Sequence, residues 1–273
     1  MSYDIRSSDN KLPDIKEFMR QLISELILFA DELVTELLVF REQVSHLNSV
    51  GKFGLEESWP REFKSNFDFL LHSFLVTKLE ETKLPILSEE GPQWDVRTRG
   101  LKWIIDPLDG TLNFHKKLGP YCISIGLWED LNPIYGLVID LDSGSVYRGG
   151  LDIPASVDQE LVAVSRVDSL DQSVFLTGFP TRFNFAQETT DWFRRLSSCA
   201  KVRMVGCASF SIVCIARGDA EIYEEQNIMI WDVAGAIPIV VGAGGCYDIS
   251  SGDYANAFNV TVSNGLVTEN WLA

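Results

Sequence analysis

The apolar positions of the chain fall into two regimes. Over residues 14–47 they recur at helical spacing, from Ile15, Phe18, Met19, Leu22 and Ile23 to Val34, Leu37 and Leu38. That spacing predicts a long amphipathic helix with room for one break, its apolar stripe turned to the core. Residues 48–65 hold Asn48, Gly51, Gly54 and Pro60 and read as a loop. Residues 66–82, with Phe67, Leu70, Leu71, Phe74, Leu75 and Leu79, predict a second helix. From there the pattern shortens into strand-length runs at 85–87, 101–105, 122–128, 134–139 and 145–148, with turn residues between them, as in an antiparallel meander. The second half alternates. Strands are predicted at 161–164, 174–177, 202–205, 220–223, 246–249 and 260–262, and helices at 187–198, 207–216 and 231–241. This is a mixed α/β chain of layered sheets and helices. Without repeats or a low-complexity linker, 1–273 is expected to form one unit with a soft internal boundary near 150–160.

Composition narrows the function. Asp and Glu number 39 against 23 Lys and Arg, a formal net charge of −16. Nucleic acid and anionic membranes are therefore unexpected partners, because affinity for both comes from Lys and Arg. An acidic enzyme working on an anion needs metal ions to offset the charge. With three histidines, a His-rich zinc site or a Ser-His-Asp triad has little raw material. Five cysteines, an odd number without a C-x-x-C, fit a reduced interior. No secretory pattern opens the sequence and no apolar run reaches spanning length, so a cytoplasmic location is expected.

The densest chemistry lies at 103–114, WIIDPLDGTLNF. Asp106 ends an apolar run, Pro107 turns the chain, and Asp109 can fold back toward Asp106. Two carboxylates at one place repel unless a cation lies between them, and hard cations such as Mg²⁺ favour such oxygens. Gly110 lets the backbone approach a ligand, and Gly110 and Thr111 open a helical turn whose free N–H groups suit a phosphate. Glu89 and Glu90 follow another apolar run. Alone they read as solvated charge, but their place just upstream of the Asp pair adds a candidate ligand. Asp232, in Trp231-Asp232-Val233-Ala234-Gly235, reads as a helix N-cap that can also bind a metal.

Taken in order, Ser88-Glu89-Glu90, Trp103 to Phe114 and Trp231 to Gly235 resemble the signature of the inositol monophosphatase family. PYCISIG at 120–126, Gly244-Gly245 and VSNG at 262–265 resemble further family elements, so the likeness runs over about 66–273. It implies a layered α-β-α-β-α sandwich, as also in fructose-bisphosphatases, and a lithium-sensitive homodimer. It further implies a Mg²⁺-dependent phosphomonoesterase that cleaves inositol monophosphate or a related polyol phosphate through a metal-activated water. By resemblance, Glu89, Asp106, Asp109, Asp232 and the Leu108 carbonyl hold Mg²⁺. Thr111 and Glu89 orient and deprotonate the water, with Asp109 in the catalytic group. Gly110 and Thr111 hold the phosphate, and Glu225, Asp232, Gly206, Cys207 and Ala208 line the substrate.

The pattern departs in two places, one of them Cys207, which stands where a small hydroxyl residue is common. A family aspartate in a V-T-x-A-D setting, a ligand for a weaker metal, aligns without gaps to Asn66, with Asp68 two positions on and the string itself absent. The loop before it retains Lys52 and Lys64 as candidates for a family lysine. Two alternatives stand. One is a 3′-phosphoadenosine 5′-phosphate phosphatase, although Thr111-Leu112-Asn113-Phe114 favours the inositol branch. The other is a catalytically weakened member that acts through interactions.

Overall fold

A computed structural model describes residues 15–49, 55–59, 62–179, 189–268 and 271. Helix α1 (Ile15–Ser49) runs unbroken. Its residues Leu26, Ala30, Leu33, Val34 and Leu37 are buried, the stripe that helical periodicity requires. The stretch read as a loop instead contains a hairpin, β1 (Leu55–Trp59) and β2 (Glu62–Ser65). Its alternation is too short and too charged to signal strands. Lys52 lies outside the described residues, as do Gln187 and Glu188 of the helix expected at 187–198. Helix α2 (Asn66–Leu79) buries Phe67, Leu71, Leu75 and Leu79, one residue per turn, together with Asp68. Phe40 of α1 stacks on Phe67 and Phe74, which fixes one helix against the other.

Beneath these helices lies a seven-stranded sheet in the order β3-β4-β5-β6-β7-β8-β9. Its strands are β3 (Ile86–Ser88), β4 (Leu101–Asp109), β5 (Cys122–Glu129), β6 (Asn132–Asp140), β7 (Val146–Gly150), β8 (Ile153–Val157) and β9 (Glu160–Leu161). Only β3 and β4 run parallel; the rest form the expected meander. Strand β8 was not anticipated, and β9 stops short of the run expected at 161–164. Strand β4 continues past Asp106 to Asp109 through an irregular register, so the two aspartates stand on one bulged strand rather than across a turn. The short α3 (Thr111–Lys116) follows at once.

A second sheet has the order β11-β10-β12-β14-β13. It comprises β10 (Val174–Thr177), β11 (Lys201–Arg203), β12 (Ile222–Met229), β13 (Cys246–Ser251) and β14 (Ala257–Ser263). Helix α4 (Thr189–Ser198) and Trp271 join its outer side, where Phe175, Ile222, Val267 and Trp271 form a small core with Leu196. Between the two sheets lie α5 (Ala208–Ala216), α6 (Ile230–Ala234) and α7 (Ala236–Gly242), in one continuous core with residues of both sheets. The architecture is therefore a layered α-β-α-β-α sandwich.

The helix expected at 231–241 is broken at Gly235. The break sinks onto the sheet, where Gly126, Gly136 and Gly149 pair in register across β5, β6 and β7. A Cβ on Gly136 would stand only 1.9 Å from the Gly235 carbonyl oxygen, and one on Gly126 only 2.4 Å from that of Ala234. Glycine at these strand positions permits backbone-on-backbone contact. The Trp128 indole N–H donates to the Ala234 carbonyl at 2.9 Å, and the Gly235 N–H to Ser124 Oγ at 3.2 Å. Asp232 is thus held over the sheet by close backbone contact at the break together with the Trp128 and Ser124 hydrogen bonds.

Candidate active site

Three carboxylates from three elements converge. Glu89 follows β3, Asp106 lies in β4 and Asp232 in α6. One oxygen from each lies within 4.8 Å of the other two. Asp106 is buried, with 1% of its surface exposed. Its Oδ1 accepts the Leu108 N–H at 2.9 Å, which locks the carboxylate to its own turn. Burial first, then the charges of Glu89, Asp232 and Asp109, pushes the Asp106 carboxyl well above the usual range. Burial, then Asp109 and Glu89, does the same to Asp232. Hard oxygen donors that repel one another at close range fit a divalent cation, which would relieve that repulsion.

Asp109 stands beside this trio in another setting. Its Oδ2 accepts the Ser209 N–H and the Ser209 Oγ–H, each at 2.6 Å, and the Cys207 thiol at 3.2 Å. Burial raises its pKa, while the Ser209 and Cys207 donors pull it back down. Cys207 is the N-cap of α5, and its own thiol is pushed well up by burial.

Thr111 Oγ1 lies 3.0 Å from Asp68 Oδ1 and 3.0 Å from the Leu108 carbonyl oxygen, so its proton bridges both acceptors. The Leu108 carbonyl keeps a second lone pair for another partner. Asp68 therefore reaches the motif, whereas Asn66 is exposed at the start of α2. At 100° per residue, a two-position shift carries a side chain to the far side of a helix. Of the two positions the sequence offered, it is Asp68 that meets Thr111. Gly110 has φ 85°, in the left-handed region, and a Cβ there would stand 3.2 Å from Cys207 Cβ. The first N–H groups of α3, at Gly110 and Thr111, have no intrahelical acceptor by geometry.

A cleft of about 200 Å³ opens here. Asp109, Asp232, Gly206, Cys207, Ala208 and Glu225 all contribute to its lining, so the expected substrate segment and the acidic residues meet in one place. Glu225 projects from β12, a strand longer than the 220–223 run that was expected. Tyr223 donates its hydroxyl to Glu225 Oε2 at 2.8 Å. Burial pushes the Glu225 carboxyl up to about 7; Tyr223 lowers it and Asp109 raises it. Gly178 makes room, since a Cβ there would meet Glu225 Oε2 at 2.3 Å.

Sequence reasoning named Asp68, which holds Thr111, but missed three contributors. Ser209 holds Asp109. Tyr223 holds Glu225. Asn113, inside the motif, donates through Nδ2 to the carbonyls of Pro120 at 3.0 Å and Val205 at 2.8 Å, tying α3 to the loop before α5. The Asn113 position was visible as part of the string; Ser209 and Tyr223 required the fold.

The sequence profile of the inositol monophosphatase family matches residues 29–273. An inositol-1-monophosphatase of Synechocystis is 33% identical over 187 residues, covering 67% of this chain and 65% of the relative, so the aligned part spans less than two thirds of that protein. The Nus factor SuhB of Xylella fastidiosa is 27% identical over 207 residues, covering 73% of this chain and 74% of the relative. A solved structure of an IMPase/NADP phosphatase complexed with Mg²⁺ and phosphate has a TM-score of 0.76 at 18% identity, over 92% of this chain and 94% of that one. That likeness bears on the fold, while the profile match extends through every motif named above. The chain belongs to the inositol monophosphatase family.

Proposed function

We propose that the chain is a Mg²⁺-dependent phosphomonoesterase acting on inositol monophosphate or a related small polyol phosphate. The observation that carries this reading is the convergence of Glu89, Asp106 and Asp232 within 4.8 Å beside a cleft that Asp109 and Glu225 also line. Family membership supports the activity, and the related structure holding Mg²⁺ and phosphate supports the cofactor.

Glu89, Asp106, Asp109, Asp232 and the Leu108 carbonyl would hold Mg²⁺. When bound, the metal polarises phosphoryl oxygens, lowers the pKa of water and offsets charge on the leaving group. Thr111, its hydroxyl fixed by Asp68 and Leu108, orients the attacking water with Glu89, which takes its proton. The N–H groups of Gly110 and Thr111 hold the phosphate. Glu225, set by Tyr223, faces the hydroxyls of the polyol together with Asp232 and the 206–208 segment. With Asp68 against Thr111, the supposed loss of an aspartate from this site no longer argues for weakened catalysis.

The test is Mg²⁺-dependent phosphate release from inositol 1-phosphate, sugar phosphates, 3′-phosphoadenosine 5′-phosphate and NADP. Release from a polyol phosphate, lost in Asp109→Asn, is the expected result. Release only from the nucleotides moves the substrate to the nucleotide branch. A second reading, an interaction protein, draws support from the Nus factor name of its relative. A folded protein that hydrolyses no member of the panel above the Asp109→Asn level favours that reading and ends the catalytic one.

A further inference from the structure

Helix α5 carries two buried serines in an otherwise apolar run, ASFSIVCIA. Ser211 behaves as a helical serine in an apolar setting does: its Oγ donates locally, to the Cys207 carbonyl four residues back, at 2.8 Å. Ser209 has 0% of its surface exposed and does not turn back to its own helix. Both its N–H and its Oγ–H reach Asp109 Oδ2, one hundred residues away in sequence, at 2.6 Å each. Hydrogen bonds to a charged acceptor are among the stronger ones, and this pair comes from one residue at the positive end of a helix. Cys207 adds a weaker donor to the same oxygen at 3.2 Å.

We propose that Ser209 is a positioning residue for the cation site: it saturates one oxygen of Asp109 and so fixes the other to share in Mg²⁺. The inference rests on the reading of Asp109 as a Mg²⁺ ligand. Three donors on Oδ2, with the Ala208 N–H as a further donor to the same carboxylate, hold it against rotation, and Oδ1 is the atom offered to the metal. Without the Ser209 hydroxyl, the carboxylate keeps the Ser209 and Ala208 N–H groups and a weak thiol donor, and is held less firmly. Partners that orient a metal ligand in this way typically contribute about 10–100-fold to metal affinity.

The experiment is calorimetric titration of the metal-free full chain with Mg²⁺ alone, with phosphate release measured on the same samples. Ser209→Ala is expected to weaken Mg²⁺ binding about 10–100-fold. It is also expected to raise the Mg²⁺ concentration for half-maximal activity while the substrate KM at saturating Mg²⁺ stays unchanged. Ser211→Ala removes a buried hydroxyl from the same helix turn and retains wild-type Mg²⁺ affinity. Should Ser209→Ala fail to fold, Ser209→Cys keeps a weak donor in place and is expected to bind Mg²⁺ with reduced affinity. Wild-type affinity in a folded Ser209 variant, or equal weakening in Ser211→Ala, overturns the assignment. If the wild type releases phosphate and Ser209→Ala binds Mg²⁺ as tightly, only the role of Ser209 falls. If the wild type binds Mg²⁺ but hydrolyses nothing, the phosphatase reading falls, while the affinities of the Ser209 variants still decide the inference. A wild type that binds no Mg²⁺ overturns both.

Discussion

Asp106 and Asp109 stand three residues apart on one bulged strand, both buried, yet their surroundings are opposite. Around Asp106 the neighbours are carboxylates, Glu89 and Asp232, and burial among them drives its proton affinity up. Around Asp109 the neighbours are donors from the start of α5, which stabilise its charge and offset part of the rise that burial imposes. The first corner is a liability to the metal-free fold that a cation would relieve; the second is satisfied by the protein itself. A single site thus holds charge in two ways, by waiting for a cation and by supplying hydrogen bonds.

The largest effect is expected from Asp106→Asn. Phosphate release should fall at least about 100-fold, since losing a ligand exceeds losing its support. The same change should raise the stability of the metal-free protein by about 1 kcal/mol, a few degrees in Tm by calorimetry, because a repelling charge is gone. A fall in Tm would break the comparison. Asp109→Ala should also abolish activity but shift stability the other way. It strands the Ser209 N–H and hydroxyl in a buried place, at a cost of about 1–3 kcal/mol in a urea titration.

Mg²⁺ sharpens the contrast. Saturating metal should raise the wild-type Tm, with stabilisation growing as RT ln(1 + [Mg²⁺]/Kd), and a chelator should reverse it. In Asp106→Asn that metal-dependent rise should shrink or vanish.

Glu225 yields a pH signature. Its folded pKa, about 7, lies above the ordinary value of 4.5, so the folded protein holds the proton more tightly than the unfolded chain. Its contribution to stability is complete below pH 4.5 and is lost as pH rises toward about 7. Glu225→Gln should remove that slope, a difference of up to about 3 kcal/mol across the window in urea titrations at stepped pH. Parallel pH profiles in variant and wild type would show that Glu225 does not titrate there. The smallest change should come from Asn66→Ala, exposed at the start of α2: activity within about twofold of wild type, against a loss of at least about tenfold for Asp68→Asn.

Much of this was legible in the sequence. The stripe of α1, the spacing of α2 and the meander from Cys122 to Arg148 follow from periods of 3.6 and 2, which burial imposes on any chain. The ligand candidates were legible because Glu89, Asp106, Asp109 and Asp232 lie in short strings whose local chemistry is visible. What escaped has physical causes. The hairpin at 55–65 is too short and charged to show a period. Strand β12 runs on through Glu224, Glu225, Gln226 and Asn227, polar residues that hide a strand but bring Glu225 to the cleft. Gly235 interrupts a run whose apolar period continues through it. Asp68 and Ser209 act on partners 43 and 100 residues away, and separations of that size leave no trace in a local pattern.

The three glycines in register beneath α6 and α7 have one more consequence. They set the spacing between the α6–α7 break and strands β5, β6 and β7 by main-chain contact. A Cβ at Gly235 would stand 2.6 Å from Ser124 Oγ and 2.7 Å from the Ile125 nitrogen, so even alanine must pry the layers apart. Asp232 rides on that break, so drift in the molecules this cleft accepts is expected to come from lining positions such as Phe179, Cys207 and Glu225, where side chains set the shape.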